Sequence, residues 1–260
     1  MKRLVAAVTF LTRMPVPGEW NIDARDVGRS AAFFPLIGAA IGALEYGLVA
    51  AAVLLSHWVG RHSGRAPFVP VPVLAVVIIS VGVLATGGLH LDGLADAADG
   101  LGGGRSRDDV LRIMRDHAIG AYGGMALILV LALKIGSACV LIEHGAASRF
   151  LVLAPALARA SVVVLGFFAP YARETEGGLG QLAQHIGALE IVVSSATAVA
   201  LAVWLSGWQG GAALGVTAMA SLVIAVLCMR KIGGVTGDTL GANVEICEAL
   251  VLATGAVLSS

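Results

Sequence analysis

"IGAYGGMALILVLALKIGSACVLI", residues 119–142, runs for 24 residues with a single charge, Lys134. Wound as a helix at about 1.5 Å per residue, such a stretch is long enough to cross a hydrocarbon core about 30 Å thick. A water-facing helix would carry a polar stripe on one side, and this one has none. The pattern recurs along the chain. Of its 260 residues, 58% are hydrophobic and 13% charged, roughly half the charged share of a soluble domain, and the mean hydropathy is +0.89. Seven stretches have spanning length, at 36–56, 73–91, 119–142, 149–170, 186–206, 210–229 and 241–258. Proline marks several edges: Pro35 opens the first, Pro70 and Pro72 precede or open the second, and Pro170 closes the fourth. "SGWQGG" (206–211) leaves room only for a tight hairpin. The expectation is an all-α polytopic integral membrane protein of about seven transmembrane helices, forming one domain over 1–260.

Residues 1–30 read as a retained amphipathic segment at the membrane surface. Lys2 and Arg3 precede a short apolar run, but Arg13 and "MPVPGEW" follow it in place of a small-residue cleavage pattern. Zero formal net charge gives no bulk attraction to nucleic acid. Cys139, Cys228 and Cys247 lie far apart in apolar stretches and read as small buried hydrophobes rather than a disulfide framework or a zinc site.

Basic residues orient the chain, because cytoplasmic loops are enriched in Lys and Arg. Twelve fall on the N-terminal side of the seven-span pattern: Lys2, Arg3, Arg13, Arg25, Arg29, Arg105, Arg107, Arg112, Arg115, Arg173, Arg230 and Lys231. Three, Arg61, Arg65 and Arg149, fall opposite, while Lys134 and Arg159 lie inside spans. The N-terminus is therefore expected in the cytoplasm, with the charged segment 90–123 on the same face.

That segment carries Asp92, Asp96 and Asp99 at i, i+4 and i+7, one face of a helix that continues span two. Carboxylates about 6 Å apart at an effective dielectric of about 20 repel by roughly 3 kcal/mol per pair. A hard divalent cation removes that repulsion, and Mg²⁺ commonly takes one or two carboxylates plus substrate phosphate oxygens. Gly100, Gly102, Gly103 and Gly104 are expected to let the backbone turn towards an anion, with Arg112 and Arg115 supplying positive charge. A solvated loop is the competing possibility, and Asp108 and Asp109 followed by Arg112 look like ordinary helix-surface pairing.

A second glycine-rich segment, "RKIGGVTGDTLGANVEICE" (230–248), places Asp238 at the same boundary, with Glu245 seven residues deeper and Glu248 beyond it. Carboxylates inside a span need a polar cavity or a partner. Glu245 and Glu248 are expected to line a cavity shared with Asp92–Asp99, or else to pair with Lys134 or Arg159. For those two cations a substrate phosphate and a buried acidic partner remain equally open. His90 borders the acidic face, and His117, beside Asp116, is a candidate proton carrier or a solvated side chain.

"LTRMPVP" (11–17), "GGLHLDGLADAADGLGGG" (87–104), "IMRDHAIGAYG" (113–123) and "GGVTGDTLGA..E" (233–245) together resemble the cobalamin synthase family, whose members are adenosylcobinamide-GDP ribazoletransferases. The resemblance implies a Mg²⁺-dependent enzyme of the inner membrane. It would join adenosylcobinamide-GDP to α-ribazole or its 5′-phosphate and release GMP, with membrane lipid around it, no nucleic acid partner and a homo-oligomer left open. By motif, Asp92, Asp96 and Asp99 carry over as metal ligands. Asp96, Asp99 and Asp116 are the catalytic candidates, with Asp99 or Asp116 as the base. Arg13, Gly102, Gly103, Arg112, Arg115, His117, Asp238 and Glu245 are the substrate-binding candidates. One place departs from the family pattern: Ala118 precedes "IG" where a basic residue is common, so phosphate contact there falls to His117 or Arg115.

Three other classes share some of these features. CDP-alcohol phosphotransferases carry a "DG..AR" block whose arginine "DGLADA" lacks. Aspartate-rich prenyltransferases present two acidic motifs in similar contexts. A secondary transporter would suit Lys134 and Arg159, but transporters place charge near the midplane and often show inverted repeats, whereas this chain concentrates carboxylates at one face.

Overall fold

The structure, a computed structural model, describes residues 1–64, 66–116, 118–173 and 185–259. Among them the regular structure is helical. The surface helices α1 (Lys2–Leu11) and α2 (Ala24–Ser30) lead through a 3₁₀ turn (Ala31–Phe33) into α3 (Phe34–Ser63). Then follow α4 (Val71–Thr86), α5 (Leu89–Gly103), α6 (Arg107–Ile113), α7 (Ala121–Glu143), α8 (Ala147–Phe168), α9 (Ala188–Ile232) and α10 (Gly237–Ser259). Helices α8 and α10 form the centre, with 78% and 72% of their apolar windows enclosed, against 33% for the Ala24–Ser63 stretch, 22% for α7 and 17% for α9. The outer helices turn residues such as Leu54, Ile128, Leu129 and Val203 outwards, as lipid-facing surfaces require.

Among the described residues five helices are long and apolar enough to cross a membrane, or six when α4 and α5 count as one broken span. The 45-residue α9 is two arms, because at Gly207 the backbone leaves the helix (φ 53°, ψ −126°). In a continuous helix residues 202 and 210 stand about 12 Å apart. Here a Cβ on Gly210 would land on the Ala202 carbonyl, so the arms fold back on each other. That is the hairpin expected at 206–211, and with it the count of seven crossings agrees with the sequence.

Two expectations are corrected. Span two does not continue straight into the acidic face: Gly87 and Gly88 both adopt left-handed φ (64° and 73°), and the chain turns by 89° between α4 and α5. Residues with a Cβ rarely hold that conformation, and two in succession break the helix. The aspartates therefore sit on a helix lying across the bundle end. Nor do Gly100, Gly102 and Gly103 form a turn: all three are within α5, and only Gly104 terminates it.

Alternation of the spans puts α1, α2, α5, α6 and the start of α10 at one end of the bundle. The segment after α8 joins them, since Ala172 N–H donates to Val235 O (2.8 Å) and Val235 N–H to Pro170 O (2.8 Å).

Candidate active site

Two helices build the site, and two glycines let them touch. Helix α5 crosses the first turns of α10 at Gly93, where a Cβ would stand 3.0 Å from Asp238 O and 3.1 Å from Asp238 Cα. The facing Gly241 would meet His90 O at 3.3 Å and Gly93 Cα at 3.4 Å. With backbones this close, Asp92 and Asp96 on α5 come alongside Asp238 on α10. The start of α10 is fixed by Thr236, whose hydroxyl accepts the Thr239 N–H (3.2 Å), while Thr239 Oγ1 accepts the Thr236 N–H (2.8 Å).

The carboxylates crowd one another. Partial burial, then the charge of Asp92, then that of Asp238 push the Asp96 carboxyl up to about 6, with Arg173 pulling the other way. Arg173 Nη2 donates to Asp238 Oδ2 at 2.6 Å, and its Nε is buried without a hydrogen-bond partner. Arg107 fixes the arginine's loop, donating to Ala172 O (2.6 Å) and Ile232 O (3.1 Å). Beneath lies a cavity of about 90 Å³ with Asp92 and Asp238 among its lining, together with His90, Arg159, Phe10 and Leu11. Neither Arg173 nor His90 was among the sequence candidates. Arg173 had counted only towards orientation, since nothing within its own stretch of chain reveals that 170–173 pairs with 233–236.

Asp99 points elsewhere. It is 8% exposed, and its two oxygens accept the N–H groups of Gly120 (2.7 Å) and Gly123 (2.9 Å). It caps α7 from across the helix pair, where the first N–H groups lack intrahelical acceptors and the dipole favours an anion. The expected three-aspartate face is thus divided, with Asp92 and Asp96 beside Asp238, and Asp99 holding α7.

Other candidates lie apart. Glu245 does not line the cavity: with 5% exposure it accepts from Lys134 Nζ at 3.0 Å. Lys134 also meets Glu248 (2.6 Å), which Arg159 meets from the other side (3.1 Å). Glu45 of α3, 3% exposed, adds a third carboxylate beside Glu248. The two mid-span cations thus have buried acidic partners, of the two possibilities left open by sequence. Arg112 is turned to Asp109 (2.5 Å), holding that carboxyl below the usual range. Asp116 is exposed and accepts the Ala118 N–H (3.1 Å), and Arg115 is exposed beside it. Arg13 packs at the Gly87 bend, its N–H donating to Ala85 O (2.8 Å). Gly102 receives the Tyr122 ring, and a Cβ on Gly103 would meet only Ile113 Cδ1, at 3.8 Å. His117 lies outside the described residues.

Among the described residues no three His, Cys, Asp or Glu side chains gather closely enough to hold an ion by themselves. Asp92, Asp96 and Asp238 nevertheless suit a hard cation shared with a ligand's phosphates: all donors are oxygen, they repel one another, and Mg²⁺ characteristically leaves much of its coordination to phosphate and water.

No solved structure matches the chain. A family described as cobalamin-5-phosphate synthase matches residues 3–256. An adenosylcobinamide-GDP ribazoletransferase of Escherichia coli (strain K12) is 39% identical over 250 residues, covering 95% of this chain and 96% of that protein. One of Pseudomonas syringae pv. syringae (strain B728a) is 39% identical over 260 residues, covering 97% and 98%. Both alignments take in the α5 acidic face and the start of α10, and by them the chain belongs to the cobalamin-5-phosphate synthase family.

Proposed function

We infer that the protein is an adenosylcobinamide-GDP ribazoletransferase, transferring the cobinamide phosphate to a free ribose hydroxyl of α-ribazole, or of its 5′-phosphate, with release of GMP. The observation that carries this is 39% identity to enzymes of that name over nearly the full chain. The geometry supports it, since carboxylates and an arginine meet at one membrane face, as pyrophosphate chemistry needs.

Asp92 and Asp238, which line the cavity, would hold Mg²⁺ together with the substrate's phosphates, and the cation would supply charge neutralisation on the pyrophosphate. Arg173, already beside Asp238, steadies the phosphate that departs with guanosine. A new P–O bond forms from a free ribose hydroxyl oxygen to the cobinamide-side phosphorus, and the bond to the GMP oxygen breaks. Asp96, with its carboxyl raised towards neutrality, accepts the hydroxyl proton, since a base works best with a pKa near the working pH. Asp99 positions α7 against this centre rather than reacting.

The N-terminus and the site face the cytoplasm across the inner membrane. The twelve-to-three distribution of basic residues supports that orientation. Purified protein with adenosylcobinamide-GDP, α-ribazole and Mg²⁺ should yield GMP and adenosylcobalamin in equal amounts, and EDTA should stop both. GMP without corrinoid product would make it a hydrolase. Failure of both reactions, with labelled corrinoid crossing sealed vesicles, would make it a transporter.

A further inference from the structure

We propose that the protein holds an anionic phospholipid at a site built by α1, α2 and the start of α9, away from the catalytic cleft. A hollow of about 520 Å³ is lined there by Arg3, Arg25 and Arg29, with His185 and Glu190. Among the described residues none of the three guanidiniums has an ion pair or a side-chain hydrogen bond, although carboxylates are near at hand. Asp26 is taken by Lys2 (2.5 Å), and Glu190 Oε2 accepts the Gly187 N–H (3.1 Å). Among the described residues three guanidiniums face one carboxylate in the hollow.

A second hollow, of about 430 Å³, adjoins the first and shares Arg3, Arg29, Leu189 and Glu190 with it. Its other lining is mostly apolar, with Leu4, Phe33 and Val193, and includes Lys2, which pairs with Asp26. Leu4, Leu189 and Val193 are exposed, at 44%, 64% and 39%, on the surface where α9 enters the bundle. A cationic hollow beside an apolar one, at the level of the lipid headgroups, matches a phosphate joined to acyl chains. A free phosphate would use only the first. Basic pockets between helices on the cytoplasmic side are where anionic headgroups bind. Helix α1 spans the distance to the reaction centre: Arg3 is at the lipid site, and Phe10 and Leu11 line the cleft beside Asp92.

The test uses the whole protein in detergent, titrated with short-chain phosphatidylglycerol, phosphatidylcholine or inorganic phosphate, with the unfolding temperature and bound lipid (native mass spectrometry) as readouts. Phosphatidylglycerol should bind saturably and raise the unfolding temperature, whereas the other two should not at the same concentrations. Arg25→Gln with Arg29→Gln should weaken phosphatidylglycerol binding about thirtyfold, at roughly a factor of five per arginine. Val193 lines the tail hollow and not the arginine hollow, so Val193→Asn should weaken it while sparing the arginines. Arg25 and Val193 are exposed and Arg29 is half-buried without an ion pair among the described residues, so these variants should fold. Equal binding of phosphatidylcholine, displacement of the lipid by inorganic phosphate, or full binding by the double arginine variant would each overturn the proposal. Activity on corrinoid substrate is not among the readouts, so the result stands or falls apart from the transferase assignment.

Discussion

Alanine at position 93 tests whether the crossing of α5 and α10 sets the site. The new Cβ would lie 3.0 Å from Asp238 O and 3.1 Å from its Cα, and both are backbone atoms that cannot rotate away. Ordinary contact begins at 3.4 Å, so the helices must separate by about 0.4 Å at this point. Asp92 and Asp96 ride on one helix and Asp238 on the other, so the separation passes directly into the site. Overpacking costs about 1–3 kcal/mol, but replacing a helical glycine by alanine returns up to about 1 kcal/mol, so the net loss of stability should be about 0–3 kcal/mol. Activity should suffer more: a misplacement of about 1 Å can cost roughly a hundredfold, and a shift under half that size should lower kcat by about tenfold. Gly93→Val, bulkier and β-branched, should lose more of both. Gly136→Ala on α7, where nothing lies within 4 Å, is the control and should be fully active and at least as stable. GMP release and thermal unfolding in detergent read the two effects. A Gly93→Ala protein with unchanged kcat would refute the idea that backbone contact here positions the carboxylates.

Acid should affect the site through Asp96, raised to about 6: at limiting Mg²⁺, activity should fall as pH drops through that value, and excess Mg²⁺ should move the midpoint lower. The folded protein holds this proton more tightly than the unfolded chain, so the Asp96 contribution to stability falls as pH rises from about 4 to 6. Asp96→Asn should therefore be inactive yet more stable than the parent at pH 8, a difference that vanishes below pH 4 on thermal unfolding. Asp99→Ala should destabilise by about 1–3 kcal/mol by uncapping α7, with Asp99→Asn in between, as measured by the same melts. Lys134→Met should cost about 3–5 kcal/mol by leaving Glu245 and Glu248 short of a cation, and adding Glu245→Gln should recover part of it, measured as folded yield. With Cys139, Cys228 and Cys247 replaced by alanine, Ser106→Cys and Lys231→Cys should both resist an impermeant thiol reagent in intact cells, and labelling of one alone would place the two acidic segments on opposite sides.

Long apolar stretches announced the spans, because a bilayer demands length and low charge locally. The SGWQGG hairpin was equally local. The bend at Gly87–Gly88 was written in the sequence too, as paired glycines, but a mostly apolar run up to Leu91 outweighed them. That displaced the expected glycine turn to 100–104, where Gly100 and Gly102 instead serve close packing against Met114 and Tyr122. Asp92 and Asp238 were legible as carboxylates at one boundary. What separates Asp99 from Asp96 is the placement of Gly120 and Gly123, and what engages Glu245 is a lysine 111 residues away. No periodicity reports such partners, since they depend on which helices become neighbours.

The buried cluster also bears on how the chain enters the membrane. Lys134 and Arg159 are synthesised on α7 and α8, well before Glu245 and Glu248 of α10 exist. Until then each cation stands in an apolar helix without those partners, at a cost of about 2.5–3.5 kcal/mol on insertion scales. Helices α7 and α8 are therefore poor candidates for independent release into lipid, and should linger beside the insertion machinery or draw on Glu45, the carboxylate made before them. Arrival of α10 neutralises both at once. A ribosome stalled after α9 should leave a nascent chain that crosslinks persistently to the translocon through α7 and α8, and extension past Glu248 should release it.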